Sequence, residues 1–194
     1  MTNSNQPEIK PLTRTEILVV MGVTAVILLI IAKVIQQISS VSMLGLEISS
    51  RAALFGLAVA VVITLASSIV YSLWPAYRES ADFYLELVIK PLIWPDLIWL
   101  GLLPGLSEEL LFRGVILSAL GLNVLALTVS SVLFGLLHLS GLEQWPYVVW
   151  ATAIGFLLGY SAIATGNLLV PIVAHVITNL VSSILWKAGK STDN

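Results

Sequence analysis

Ser107-Glu108-Glu109-Leu110-Leu111-Phe112-Arg113 places two carboxylates and a guanidinium near the middle of an apolar run that extends over about residues 96–120. A run of about 20 mainly apolar residues is what a helix needs to cross a hydrocarbon core of about 30 Å. An ionisable side chain at that depth costs at least about 2.5 kcal/mol on insertion scales, so it turns toward the interior of a bundle and marks a functional position. The chain therefore reads as an all-α integral membrane protein, with this stretch at its functional centre.

The remaining sequence fits that reading. Of 194 residues, 58% are hydrophobic and 10% are charged, where a soluble domain carries roughly 25% charged residues. Mean hydropathy is +0.99, and no water-soluble surface can be built from such a composition. Nine Lys and Arg against 11 Asp and Glu give a net charge of -2, which excludes the basic footprint of a nucleic-acid binder. The chain has no Cys, which excludes a disulfide framework, a thiolate nucleophile and a Cys-ligated metal.

Six apolar segments are expected to be transmembrane helices, at about 17–38, 52–74, 96–120, 122–139, 145–164 and 167–187, forming one membrane domain over 1–194. A polar N-terminal tail occupies 1–16. The first apolar run exceeds the roughly 7 to 15 residues of a signal-peptide core and is followed by no small-residue cleavage site, so it reads as a retained helix. Residues 76–95 interleave Arg78, Glu79, Asp82, Glu86 and Lys90 with Phe83, Tyr84, Leu85, Leu87 and Val88, the pattern of a short interfacial helix. Trp94, Trp99, Trp145, Trp150 and Trp186 lie near segment ends, where indole rings favour the headgroup layer; core filling is an equal reading for Trp99 and Trp150. Lys10 and Arg14, Arg78 and Lys90, and Lys187 and Lys190 place both termini on the cytoplasmic side, while Lys33 and Arg51 run against that rule. Gly101 with Gly105, and Gly155 with Gly159, are small-xxx-small pairs that let helices pack closely.

The other intramembrane polar groups concentrate at Phe134-Gly135-Leu136-Leu137-His138 and at His175-Val176-Ile177-Thr178-Asn179, which between them hold both histidines of the chain. At about 1.5 Å per residue, Glu108 lies about 18 Å in from Asp96 and His175 about 12 Å in from Asn167, so both fall near mid-depth. His138, near the end of its segment, sits closer to the cytoplasm. Glu109 and Arg113 are four apart with the acid first, the favourable order for a helical ion pair, and Glu108 projects about 100° away. Glu109 then neutralises Arg113, and Glu108 is left for chemistry as a general base that takes a proton from water. His175 and Asn179 share one face, with His138 approaching from a neighbouring helix. They offer donors to the oxyanion that forms when water attacks a peptide carbonyl. Taken singly, Phe134 reads as core, Asn179 as interhelical glue as readily as a catalytic group, and Glu109 with Arg113 as a helix-locking ion pair.

Glu108-Glu109-xxx-Arg113, Phe134-xxx-His138 and His175-xxx-Asn179, in this order on separate segments, resemble the EExxxR, FxxxH and HxxxN/D signature of the CPBP family. These are the CAAX-protease, Abi and bacteriocin-processing membrane proteins, also called type II CAAX prenyl endopeptidase-like. The resemblance covers about 91–187 as a catalytic core. It implies an intramembrane endopeptidase in which Glu108 activates water, with His138, His175 and Asn179 as the other catalytic positions and Glu109, Arg113 and Phe134 supporting them. The implied partners are the lipid bilayer and a membrane-associated or lipidated protein substrate. No cofactor is required on this reading; zinc is the alternative, with His138, His175 and Glu108 as its ligands, although they lack HExxH spacing. The alternative function is a non-proteolytic membrane scaffold or bacteriocin-immunity-type protein that retains the fold. A proton relay through Glu108 and the histidines is a third reading, against which no inverted repeat is seen.

Overall fold

The structure, a computed structural model, describes residues 12–192, and side chains through residue 189. The polar tail over 1–11, with Lys10, and the side chain of Lys190 lie outside the described residues. All described elements are helical: α1 (Arg14–Ser39), α2 (Ser50–Leu73), α3 (Pro75–Ile89), α4 (Leu97–Glu109), a π-helical segment (Leu110–Ile116), α5 (Leu117–Ala119), α6 (Val124–Leu137), α7 (Trp145–Thr165) and α8 (Leu169–Thr192). α1 begins at a capping box in which Thr13 and Glu16 satisfy each other's backbone N–H. α7 ends at Gly166, and α5 turns into α6 through Gly121 at φ +99°, a left-handed conformation that suits glycine.

Each of the six expected apolar segments is helical, yet they do not all cross a bilayer in the same way. α1, α2, α7 with its preceding turn, and α8 are long and apolar enough to span; α3 with the helix Trp94–Ala119 makes a fifth span if that bent pair is counted as one. The count is therefore four or five, where six were expected. The fourth expected segment, α6, has 14 residues, about 21 Å at 1.5 Å per residue. The expected interfacial stretch is α3, which starts at Pro75 directly after α2 and turns by 110° into Trp94–Ala119. It thus runs across the bundle, with Tyr77, Ser80, Ala81 and Ile89 buried against it.

α8 is the central helix, packed between α2 and α4, while α6 lies along α7. Both small-xxx-small pairs sit at these crossings. A Cβ on Gly105 would fall 3.0 Å from the Val176 nitrogen of α8, and one on Gly155 would fall 3.1 Å from the Ser131 backbone of α6. Gly56 does the same for α2, where a Cβ would lie 2.8 Å from the Val170 carbonyl. Close backbone approach of this kind is how helices gain van der Waals contact in lipid, where the hydrophobic effect between helices is absent.

Polar contacts tie the two ends. Arg14 forks onto Asp96 through Nε and Nη2 at 2.7 and 2.8 Å, and Lys187 donates to the Leu92 carbonyl at 2.6 Å. The start of α1, the start of α4 and the end of α8 therefore meet at one end of the bundle. At the other end, the α1–α2 loop is strapped down: Asn167 exchanges hydrogen bonds with the Glu47 backbone at 2.9 and 3.1 Å. The Gly45 carbonyl accepts from the Leu168 N–H. Arg51 lies at this far end, as does Lys33, which is about 29 Å along α1 from Arg14.

A side chain at Gly135 would collide with Thr152 and lie 2.9 Å from the Val148 carbonyl, whereas Gly22 has open space around it. Gly135→Val is expected to destabilise the bundle by about 1–3 kcal/mol, as overpacking does. Gly22→Ala leaves stability unchanged or slightly raised. Thermal unfolding of the detergent-purified variants measures both.

Candidate active site

Two departures from regular helix bracket Glu108 and Glu109. Pro104 lies inside α4 and brings no N–H to the helical ladder. Immediately after Glu109 the helix widens into the π-helical segment, so that the Leu117 N–H bonds to the Phe112 carbonyl five residues back. π-segments of this kind occur mostly at functional sites. Its backbone is bonded from outside: Ser130 of α6 donates to the Phe112 carbonyl at 2.9 Å, and the Leu44 N–H of the α1–α2 loop donates to the Gly114 carbonyl at 3.0 Å.

Glu109 is fully buried. Its Oε1 accepts from Arg113 Nη1 at 2.7 Å and from His175 Nδ1 at 2.8 Å. The expected pair with Arg113 is formed, and the same oxygen also holds a histidine from α8, which helical spacing alone did not indicate. Arg113, also fully buried, donates through Nη2 to the Gly155 carbonyl of α7 at 3.0 Å. Its guanidinium lies over the Phe134 ring, 4.3 Å from the centroid. Two charges taken out of water are made tolerable by each other and by these further bonds, although Glu109 Oε2 and Arg113 Nε have no partner among the described residues.

The other carboxylate is left bare. Glu108 is 7% exposed, and its Oε2 has no hydrogen-bond partner among the described residues. It lies 3.9 Å from His138 Nε2. His138 caps α6, where the chain leaves helical geometry at φ -90° and ψ 7°, and its Nδ1 bonds to the Phe134 carbonyl at 2.9 Å. A carbonyl can only accept, so Nδ1 carries the hydrogen and the neutral ring presents an unprotonated Nε2 to Glu108. The same logic applies to His175, whose Nδ1–H is directed at the Glu109 carboxylate.

Phe134 was expected to be plain core, and it is buried at 2% exposure. It also separates the polar groups, with ring centroids 4.9 Å from His138, 5.7 Å from His175 and 5.5 Å from Phe112. Asn179 follows His175 by one turn of α8 and is half-buried. Glu108, His138, His175 and Asn179 all line one cavity of about 430 Å³. Buried Thr178 lines it too, with its Oγ1 lacking a partner among the described residues.

Two further cavity residues, Tyr84 of α3 and Tyr147 of α7, escaped the sequence reading. They belong to no motif, and the only hint of Tyr84 was its place on the apolar side of an amphipathic stretch. The donors that zinc would need do not gather: no group of three or more His, Asp or Glu suited to hold a metal ion occurs among the described residues.

Fold and site together define a polytopic α-helical membrane protein with a buried Glu–His–Asn centre. Residues 90–181 are similar to the family described as Type II CAAX prenyl endopeptidase Rce1-like. The match contains every motif residue from Glu108 to Asn179 and leaves out α1, α2 and α3. Uncharacterized protein YpbD of Bacillus subtilis (strain 168) is similar, at 35% identity over 127 residues, covering 66% of this chain and 65% of the relative. The chain thus spans less than two thirds of that relative's length. No solved structure matches it.

Arg113→Met would leave Glu109 buried without its guanidinium, and breaking a buried pair in this way costs about 3–5 kcal/mol. The double variant Glu109→Gln/Arg113→Met is expected to recover part of that loss. Unfolding titrations in mixed micelles measure the difference; equal loss in the single and the double would show that the charge pair is not its source.

Proposed function

We propose that the protein is an intramembrane endopeptidase in which a water molecule between Glu108 and His138 attacks a peptide carbonyl of a membrane-associated or lipidated protein. The observation that carries this reading is the 3.9 Å separation of Glu108 Oε2 and His138 Nε2. An ionised carboxylate and a neutral imidazole nitrogen are both acceptors and cannot bond each other. One water that donates a hydrogen to each satisfies both and turns its own lone pairs toward the cavity.

As the water oxygen bonds to the carbonyl carbon, Glu108 takes one of its protons and the carbonyl π electrons move onto oxygen. When the C–N bond breaks, Glu108 returns the proton to the amine nitrogen, and two shorter chains leave. His138 keeps the water in line, with Nδ1–H held by the Phe134 carbonyl. Asn179 supplies an amide N–H on the oxyanion side. Glu109 orients His175, and Arg113 balances the charge of Glu109. No step needs a cofactor. The family description of the matched region as an endopeptidase supports hydrolysis of a peptide bond. The largely apolar cavity walls support a substrate that reaches the site from the bilayer. On this reading the end tied by Arg14, Asp96 and Lys187 faces the cytoplasm, with both termini there.

Membranes carrying the wild type or Glu108→Gln test the reading by quantitative proteomics. Full-length proteins are expected to accumulate with the variant, whose cleavage rate falls by about 10²–10⁴. If nothing accumulates and the Glu108→Gln protein keeps its biological effect, the site is not proteolytic and a scaffold is the better account.

A further inference from the structure

Two helices of the bundle carry polar rows of the same spacing. On α2 the row is Thr64, Ser67, Ser68 and Tyr71, and on α8 it is His175, Thr178, Asn179 and Ser182. Each falls at i, i+3, i+4 and i+7, which is one face of a helix. Both faces line the cavity that holds Glu108. The rows are also level with each other. α2 and α8 start at the same end of the bundle, where Glu47 and Asn167 are tied, and they touch where Gly56 meets the Val170 carbonyl. Thr64 follows Gly56, and Thr178 follows Val170, by the same two turns of helix, about 12 Å.

Polar side chains inside a membrane bundle ordinarily hydrogen-bond across helices and glue them together. These two rows do not: among the described residues no hydrogen bond joins one to the other. Ser67 accepts from Trp150 of α7 at 3.2 Å, Ser68 donates to the Thr64 carbonyl of its own helix at 2.9 Å, and Tyr71 bonds to Asp82 at 2.8 Å. Thr178 is the sharpest case. It is 8% exposed, and its Oγ1 has no partner among the described residues. The buried Ser107 and Ser183 hydroxyls, by contrast, each donate to a carbonyl of their own helix, at 2.7 and 2.9 Å. A hydroxyl taken out of water without a bond is costly, and valine would fill the same space.

Hydroxyls and an amide both donate and accept, and apart from the histidine these rows offer no cation to a phosphate and no carboxylate to a metal ion. They suit a peptide backbone. A polypeptide has to unwind before its carbonyl can meet water at Glu108, and unwinding frees N–H and C=O groups where lipid offers them no partner. We propose that the two rows bind the unwound backbone of the substrate, the Thr64 and Thr178 hydroxyls bonding the groups that unwinding frees. The proposal rests on the endopeptidase reading and narrows its substrate to a segment drawn out straight, not an intact transmembrane helix. It also gives α2, which lies ahead of residues 90–181, a part in recognition.

The test uses the full chain in liposomes, and its probe is a membrane protein that accumulates full-length in Glu108→Gln membranes. Thr64→Val and Thr178→Val keep the shape and remove the hydroxyl. Their unfolding midpoints should equal or exceed that of the wild type, because no bond is lost within the protein. KM should rise about fivefold in each and about 20-fold in the double variant, with kcat nearly unchanged, the pattern of lost uniform binding. Thr64→Ser and Thr178→Ser keep the hydroxyl and should keep the wild-type KM, as should Thr24→Val on the exposed side of α1. If Thr178→Val fails to fold, Thr64→Val, remote from the motif residues in sequence, carries the comparison alone. A fall in kcat at unchanged KM would make the rows a path for water and overturns the proposal. So does a double variant with the wild-type KM; provided Glu108→Gln is inactive, the endopeptidase reading then stands. Failure of any protein to accumulate with Glu108→Gln overturns both.

Discussion

One carboxylate oxygen, Glu109 Oε1, holds the centre of this molecule together. It receives Arg113 from the π-helical segment and His175 from α8, and Arg113 passes the connection on to the α7 backbone. An anion without partners at this depth would be intolerable, and a guanidinium equally so, but each makes the other's burial acceptable. The same arrangement sets the histidine's tautomer, because an ionised carboxylate accepts and never donates. A structural ion pair and the orientation of a cavity-lining histidine are thus a single interaction. Removal of either charge disturbs packing and chemistry together, so stability and activity have to be measured side by side in this region.

The two adjacent glutamates illustrate how position divides chemically identical groups. Glu109 faces the helix junction and concentrates two donors on its Oε1, while Glu108, one residue earlier, faces a cavity; each leaves its Oε2 without a partner among the described residues. The division depends on the irregular helix around them. Pro104 loosens the turn before, the π-helical segment widens the turn after, and the carbonyls of that segment are met by Ser130 and by the Leu44 N–H of a distant loop. The loop between α1 and α2 looks like a passive connection in the sequence, yet it buttresses the turn that aims Arg113 inward.

Much of this was legible from residues alone. Apolar runs of sufficient length gave the helices, and charges within such runs gave Glu108, Glu109, Arg113, His138, His175 and Asn179 as the centre. The i,i+4 spacing of Glu109 and Arg113 gave their ion pair, and Gly101, Gly105, Gly155 and Gly159 gave two of the close helix crossings. What stayed hidden depends on contacts between segments distant in sequence. No local pattern marks the π-helical turn, since its hydrogen bonds are completed from α6 and the α1–α2 loop. Spacing placed His175 on the right face but could not show that Glu109 reaches it across 66 residues of chain. Tyr84 lines the cavity only because α3 folds back across the bundle, where it stacks on Tyr147 of α7.

The short α6 carries a consequence for the lipid around it. Its span of about 21 Å falls about 9 Å short of a typical hydrocarbon core, and it ends at His138. Lipids beside a short helix shorten or tilt their chains to avoid exposing polar groups to hydrocarbon. A bilayer that followed α6 from end to end would have to thin by that amount, which would bring the water–lipid boundary toward the His138 imidazole. A hydrolytic site buried among apolar helices would gain its route to water from this local thinning of the membrane, and lipids with shorter chains would deepen it.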